Sequence, residues 1–299
     1  QFNFFIRFQA GGGKKIIFSG DVGNSPAPLI GPWETFTGGA THCLIESTYG
    51  DRVHEDLPER KEIIEDLIEE TAARKGVLMI PAFAMERTQE LLFEIDELVR
   101  NGKIPNIPVY LDSPLAIRLS EVYETHRDYF SKEAQELMRG RHGNMFGFPG
   151  LHMTLSTEES KKINDAPPPK VIIAGSGMSH GGRILHHERR YLPDPNSTLL
   201  IVGYQATGSL GRQLLDGAHT VRILGEDVSV RCRVKAIGGY SAHADQPQLL
   251  RWLSPMRRGL ERVFVVQGEP EAAHTLQGKI IDALAVDAVV PQMGEEVVV

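Results

Sequence analysis

Hydrophobic positions along the chain follow two periods, which predict strands and helices in turn. Residues 2–8 carry phenylalanine or isoleucine at every second position, as in a strand with one buried face. The glycines at 11–13 predict a turn into a second strand over 15–18, and residues 43–45 have the pattern of a third. These segments predict a small sheet near the start of the sequence.

From residue 55 onward, strand and helix patterns alternate. Asp56 and Glu59 have the spacing of a capping box, and the apolar positions at 63, 64, 67 and 68 give the following helix one buried face. Strands are predicted at 77–80, 109–111, 171–174, 199–202, 228–237 and 263–266, with helices at 91–99, from 115, and at 182–191, 246–254 and from 270. Residues 131–168 are less regular. The alternation predicts an α/β fold with a mostly parallel sheet.

Composition is that of an ordinary globular chain. Of the 299 residues, 41% are hydrophobic and 24% are charged, enough for one large or two medium domains. The two cysteines, Cys43 and Cys232, are far apart in the sequence, which excludes a disulfide framework. With no signal peptide and no apolar run of membrane-spanning length, we expect a cytoplasmic protein without a membrane partner.

The net charge of −7 argues against a protein that coats nucleic acid by bulk electrostatics. It leaves room for a local basic track, because phosphate contacts are local. Basic clusters occur at 139–142 and 231–235, and each is also compatible with solvated surface.

Polar residues that could carry chemistry follow predicted strands. These residues are Asp21, Glu46, Asp112, Ser176, His243 and Gln267. Since functional sites of layered α/β proteins gather at the carboxyl ends of strands, the pattern predicts a site there.

Asp21 and His243 each allow a functional and a structural interpretation. Asp21 lies between Gly20 and Gly23, where its carboxylate could bind a metal ion or bond to its own turn. His243 is flanked by small residues, and it could serve as a general acid, a metal ligand or a surface residue.

A glycine-rich turn at 175–183 connects a predicted strand to a predicted helix. Backbone N–H groups at a helix N-terminus attract phosphate, and Arg183 adds a forked donor, although a tight packing turn is equally compatible. On the next helix, His186 and His187 point about 100° apart, so we expect helix-surface or interface residues rather than a shared metal site.

Taken together, several segments resemble one family in their order and spacing. They are residues 18–23 (a fourth metal motif), 46–50 (motif A), 81–90, 111–116, 175–183, 240–245 (motif B) and 266–270 (motif C). The family is the β-CASP group of metallo-β-lactamase-fold ribonucleases, which includes the pre-mRNA 3′-end endonuclease and RNase J.

The resemblance implies the C-terminal part of a metallo-β-lactamase αββα sandwich with an inserted Rossmann-like β-CASP domain. It implies boundaries at 1–52 (metallo-β-lactamase, partial), 53–236 (β-CASP) and 237–299 (metallo-β-lactamase and RNA-specificity segment). It further implies two zinc ions, a single-stranded RNA substrate, and endonucleolytic or 5′-to-3′ exonucleolytic cleavage, or both. Homodimers are a further possibility.

The resemblance also implies a role for each matching residue. Asp21 would bridge the zinc ions, His243 would protonate the leaving oxygen, and Glu46 would orient His243. The side chains of Ser176, Arg183 and Ser241, together with Gly177, would hold RNA phosphates.

Two departures from the family pattern stand out. The H-x-H-x-D-H motif and the third-motif histidine would lie before Asp21, so we expect about 150 further residues there, and an inactive chain without them. Gln267 occupies the position of the family's histidine ligand in motif C, which leaves the second zinc in question. Two alternatives therefore stay open: a non-catalytic RNA-binding or scaffold subunit, and a DNA nuclease.

Overall fold

The computed structural model describes residues 4–7 (backbone only), 13–139 and 146–298. In chain order, the strands are β1 (Phe4–Arg7), β2 (Lys15–Phe18), β3 (His42–Glu46), β4 (Val77–Pro81), β5 (Val109–Asp112), β6 (Leu151–Met153), β7 (Lys170–Ala174), β8 (Thr198–Ile201), β9 (Thr220–Ile223), β10 (Glu226–Ser229), β11 (Arg233–Ala236), β12 (Arg262–Val266) and β13 (Asp287–Val289).

The α-helices are α1 (Leu57–Ala73), α2 (Arg87–Arg100), α3 (Pro114–Thr125), α4 (Lys132–Met138), α5 (Thr157–Lys162), α6 (Ile184–Tyr191), α7 (Leu210–Leu215), α8 (Gln246–Leu253) and α9 (Pro270–Leu284). Short 3₁₀ turns lie at Arg127–Tyr129, Gly238–Tyr240 and Ser254–Met256. Within the described residues, no helix has the length and apolar character needed to span a bilayer.

The chain divides into two compact units. Unit 1 comprises residues 1–27, 31–54 and 242–299, and unit 2 comprises residues 28–30 and 55–241. The divisions at 54/55 and 241/242 lie within a few residues of the boundaries implied by the sequence. The assignment of those boundaries to named domains stays a prediction.

Unit 1 contains a sheet with the strand order β1-β2-β3-β12-β13. The predicted pairing of the first two strands is present as an antiparallel ladder, although part of the predicted glycine turn lies outside the described residues. All the other pairings of this sheet are parallel. Ile45, Val263 and Val265 are fully buried in one apolar cluster with Leu249 of α8 and Leu276 of α9. This packing fixes the sheet edge at which β2, β3 and β12 end.

Unit 2 contains a parallel sheet with the order β11-β8-β4-β7-β5-β6. Both of its faces are covered. Leu78 and Ile80 of β4 face a cluster that includes α1 and α2, whereas Val77 and Met79 face one that includes α6 and α7. A sheet buried on both faces needs continuous apolar strands, as the sequence has here. The predicted α/β class is confirmed.

Two parts of unit 2 differ from the sequence prediction. Residues 228–237 were predicted as one strand, but β10 ends at Ser229 and β11 begins at Arg233. The two strands belong to different sheets, since β10 pairs with β9 in a two-stranded antiparallel ladder and β11 pairs with β8 in the parallel sheet. Between them, the N–H of Cys232 donates to the carbonyl of Leu192. Residues 131–168, predicted as irregular, contain α4, β6 and α5, which are too short for their periodicity to be recognised.

A buried ionic cluster joins α1 and α2 to the last turn of unit 2. Arg60 donates to Glu94 (2.7 Å from Nη2) and to the carbonyl of Gly239 (2.5 Å), and it also contacts Glu90. Tyr240 donates its hydroxyl to Glu94 and lies under the guanidinium, 4.3 Å from ring centroid to Cζ. Burial lowers the pKa of Arg60, but the two carboxylates outweigh this effect and raise it. The positive charge of Arg60 and the negative charges of Glu90 and Glu94 therefore stabilise one another, and removing Arg60 takes a partner from both carboxylates.

We predict that Arg60→Ala destabilises unit 2 by about 3–5 kcal/mol, because it leaves buried carboxylates without a partner. The matched control is Lys61→Ala, which removes the more exposed pair between Lys61 and Glu97. It should cost about 1 kcal/mol or less. Urea unfolding of both variants measures the difference, and equal losses would contradict the predicted role of the buried cluster.

Candidate functional site

Three side chains meet at the carboxyl edge of the unit 1 sheet. Glu46 is the last residue of β3, Asp21 follows the parallel neighbour β2, and His243 precedes α8. One ligand atom from each lies within 4.8 Å of the others. The structure thus brings together the three residues for which the sequence predicts catalytic roles. A glutamate, an aspartate and a histidine can hold a cation or move a proton.

Glu46 is completely buried, and both of its carboxylate oxygens accept hydrogen bonds. The N–H of Val22 donates to Oε1 (2.6 Å), and Oε2 lies 2.8 Å from Nδ1 of His243. Since an ionised carboxylate can only accept, the proton of this bond is assigned to Nδ1 of His243. The bond to Glu46 is thus made through Nδ1, the nitrogen nearer the backbone. Glu46 itself is committed to holding His243 rather than to binding a metal ion.

The loop that carries His243 is fixed by its neighbours. Asp245 caps α8 by accepting from the N–H of Gln248 (3.0 Å), and it also accepts from the N–H of His54 (3.0 Å). The ring of His54 in turn lies 3.1 Å from the carbonyl oxygen of His243. His243 therefore keeps its backbone position independently of Glu46, while Glu46 sets the orientation of the ring.

Asp21 is the open member of the cluster, with 61% of its side chain exposed. Its Oδ1 accepts a hydrogen bond of 2.8 Å from Nε2 of Gln267 and lies 4.0 Å from Nδ1 of His243. Gln267 directly follows β12 and has a positive φ of 74°. A glutamine holds this conformation only where its surroundings enforce it. The next residue shows how, since a Cβ on Gly268 would lie 2.4 Å from the carbonyl oxygen of Ser47.

These residues fit one part of a zinc site. Zinc takes three or four protein ligands of nitrogen, oxygen or sulfur, and a carboxylate such as that of Asp21 is a suitable one. Both oxygens of Glu46 are occupied, and Gln267 directs its N–H, not its oxygen, to Asp21. Within the described part of the chain, Asp21 is therefore the side chain best placed to bind zinc.

Two segments of the chain match models of known protein families. Residues 88–214 match the Beta-Casp domain, and residues 227–291 match the Zn-dependent metallo-hydrolase RNA specificity domain. The chain belongs to the β-CASP family. The fold and the family that the sequence motifs predict are therefore confirmed.

Three curated relatives show how far the similarity extends. Ribonuclease TTHA0252 of Thermus thermophilus is 40% identical over 288 residues, which cover 96% of this chain and 64% of the relative. An RNase J-like protein of Methanocaldococcus jannaschii is 32% identical over 94% of this chain and 65% of the relative. Transcription termination factor FttA of Methanosarcina mazei is 30% identical over 91% and 44%, respectively. The chain thus spans less than two thirds of each relative's length.

The glycine-rich turn of the β-CASP segment lies in unit 2, after β7. Arg183 is engaged there: Nη1 donates to Asp112 (2.7 Å) and to the carbonyl of Thr154 (2.9 Å), and Nη2 donates to that of Leu155 (3.0 Å). The hydroxyl oxygen of Ser176 accepts from backbone N–H groups of its own turn. Both side chains already make hydrogen bonds within the protein. Their predicted contact with phosphate would therefore compete with these bonds.

Two further residues differ in environment from what their predicted roles suggest. Ser241 is only 1% exposed, which counts against direct contact of its hydroxyl with an RNA phosphate. His187 was predicted as a helix-surface or interface residue, but it is buried within unit 2 and lies 2.8 Å from Asp112, whereas His186 is exposed. Burial raises the pKa of Asp112, but the bonds from His187 and its neighbours outweigh it and hold the pKa well below its usual range.

Sequence reasoning missed a buried carboxyl group beside the glycine-rich turn. Glu188 lies on α6 and accepts a hydrogen bond of 2.5 Å from the hydroxyl of Ser179 in the turn. Burial raises the pKa of Glu188 to about 7, although the bond from Ser179 lowers it. Its neighbours in the sequence are charged and polar, so no pattern distinguishes it from a surface residue.

We predict that Glu188 makes unit 2 less stable as the pH rises from 4.5 to 7. In that range the unfolded chain releases the proton at its ordinary pKa of 4.5, whereas the folded chain retains it. The loss amounts to about 3 kcal/mol. Glu188→Gln should reduce this dependence in urea unfolding at pH 5 and pH 8, whereas the buried Glu90 and Glu94, whose pKa values are also raised, keep their contribution. Glu158→Gln, at an exposed position, should keep the wild-type slope; equal slopes in both variants would exclude Glu188 as the cause.

Proposed function

We propose that this chain forms part of a zinc-dependent ribonuclease that hydrolyses phosphodiester bonds of single-stranded RNA. The observation that carries the proposal is the hydrogen bond between Glu46 and His243, next to the exposed carboxylate of Asp21. A structural histidine has no need of an open carboxylate beside it. The names of the relatives, among them a ribonuclease, support the same reaction.

In the proposed reaction, His243 supplies a proton. When a water oxygen attacks phosphorus and the bond to the ribose oxygen breaks, that oxygen takes a proton from Nε2 of His243, and the proton that the attacking water loses passes to solvent. Glu46 accepts from Nδ1 and stabilises the protonated imidazole before the transfer. Asp21 would hold zinc, which activates water and polarises the phosphate when bound. Cleavage would be endonucleolytic, 5′-to-3′ exonucleolytic, or both.

The number of zinc ions depends on Gln267. We propose two, as in the family site that the sequence resembles. The second would be held weakly, because a glutamine amide is a poorer ligand than imidazole. A cytoplasmic location, supported by the two free, buried cysteines, and a homodimeric assembly complete the proposal.

A second candidate function is a non-catalytic RNA-binding or scaffold subunit. The observation in its favour is again Gln267, whose amide already occupies an oxygen of Asp21. The retained bond between Glu46 and His243 favours catalysis instead, because binding alone does not require it.

We predict that His243→Ala lowers RNA cleavage about 10²- to 10⁴-fold, the usual contribution of a general acid. The assay uses the complete protein, including any segment that precedes this chain, with zinc and with labelled single-stranded RNA and DNA of the same sequence. His219→Ala, at an exposed position, is the control. Cleavage that survives His243→Ala unchanged would refute the role of His243, whereas RNA binding without cleavage would favour the scaffold. Preferential cleavage of DNA would identify a DNA nuclease.

We predict that Gln267→His raises the zinc content of the complete protein towards about two ions per chain, because imidazole binds zinc more strongly. Elemental analysis after dialysis measures the content directly. Gln213→His adds a histidine at an exposed position of α7 and should leave the content unchanged. Equal zinc in the two variants would show that position 267 does not face a metal ion.

A further inference from the structure

A groove of about 390 Å³ opens at the carboxyl ends of β4, β5 and β7 in unit 2. Its lining includes Phe83, Ser113, Ser176 and Arg183. The volume is within the range of about 300–1,000 Å³ that is usual for ligand sites. Its position matches the general rule for ligands of parallel sheets.

Phe83 is the unusual residue of this groove, because 44% of its surface is exposed although it is large and aromatic. One side of its ring lies against Gly177 and Gly203. A Cβ on Gly177 would be 2.5 Å from Cδ2 of the ring, and one on Gly203 would be 3.8 Å from Cε2. Only glycine at 177 therefore leaves room for the ring in this place.

The two glycines under the ring are held together by a single side chain. Nε2 of Gln205 donates to the carbonyl of Gly177 (2.9 Å) and to that of Gly203 (3.1 Å). Gln205 is buried, so this contact is shielded from water. The support of Phe83 is thus fixed before any ligand arrives, as a binding surface requires.

The charges of the groove favour a neutral planar ligand over a phosphate group. Arg183 is paired with the buried carboxylate of Asp112, which cancels most of its attraction for an anion. What is left at the surface is an aromatic ring with the hydroxyl groups of Ser113 and Ser176 nearby. A nucleobase fits this chemistry, since it stacks on aromatic rings and offers hydrogen-bonding groups along its edge.

We propose that Phe83 is a stacking platform for a base of single-stranded RNA. This inference rests on the proposed function, because it assigns a base-binding position to the same substrate. It also changes the role of the glycine-rich turn, in which Gly177 shapes the support of an aromatic ring and Arg183 braces the groove.

The test measures the affinity of this chain, without cleavage, for a fluorescently labelled single-stranded RNA in the presence of a chelator. Phe83→Ala should weaken binding roughly 5- to 100-fold, the range expected for one stacked base. Phe83→Leu should weaken it similarly because leucine keeps the apolar bulk but has no ring, whereas Phe83→Trp should retain affinity. Met85→Ala removes another exposed apolar side chain of the same turn, outside the groove, and should have no effect.

Two further measurements distinguish stacking on a base from contact with the sugar-phosphate backbone. The tryptophan fluorescence that Phe83→Trp adds should be quenched by the RNA but not by an abasic oligonucleotide of equal length and charge. Gly177→Ala should displace the ring and weaken binding in the same way as Phe83→Ala.

Each outcome decides between the two proposals. RNA binding that is unchanged in Phe83→Ala, or equal quenching by the abasic oligonucleotide, would overturn the stacking platform and leave the proposed function intact. Equal affinity of Phe83→Leu and the wild type would show that position 83 contributes apolar bulk and not ring stacking, which would also overturn the stacking platform. Absence of any RNA binding by the wild-type chain would overturn the stacking platform, whereas cleavage by the complete protein would still support the proposed function.

Discussion

The hydrogen bond between the buried carboxylate of Glu46 and His243 is the interaction on which the candidate site depends. Glu46 is completely buried, and burial strengthens the bonds that its carboxylate accepts from the N–H of Val22 and from the imidazole. The bond therefore selects one orientation of the histidine ring, whose side chain remains 23% exposed. The parallel pairing of β2 with β3 then places Oδ1 of Asp21 4.0 Å from Nδ1 of the same ring.

A second pair of the same chemistry occurs in unit 2, where Asp112 contacts His187. The two pairs differ in access. The side chain of His243 is 23% exposed, whereas that of His187 is 3% exposed, and Asp112 receives further bonds from Thr154, Ser160 and Arg183. A carboxylate surrounded by donors stabilises a fold, whereas one that holds a single exposed imidazole can support proton transfer. Accessibility, not the type of residue, separates the structural pair from the candidate catalytic pair.

The backbone conformation of Gln267 determines which side-chain atoms can lie next to the candidate metal ligand Asp21. It sits in a left-handed conformation enforced by the packing of Gly268 on Ser47, and it directs its amide to Asp21. A side chain at position 267 therefore lies next to the carboxylate of Asp21, whichever residue is present there. Gln267 thus differs from the histidine of the family motif in side chain, while the backbone position beside Asp21 is kept.

The sequence by itself determined the α/β class, the order of most strands and helices, and the residues at strand ends, because apolar periodicity and capping are local properties. It also determined the family, through the order of its motifs. Tertiary structure decided which side chains contact one another. Glu46 and His243 are 197 positions apart, and Asp112 and His187 are 75 apart, so only strand pairing and burial determine which carboxylate meets which histidine. The same holds for Arg183, which looked like a phosphate donor until the fold placed Asp112 against it, and for Phe83, whose exposed ring is defined by glycines 94 and 120 positions further along the chain.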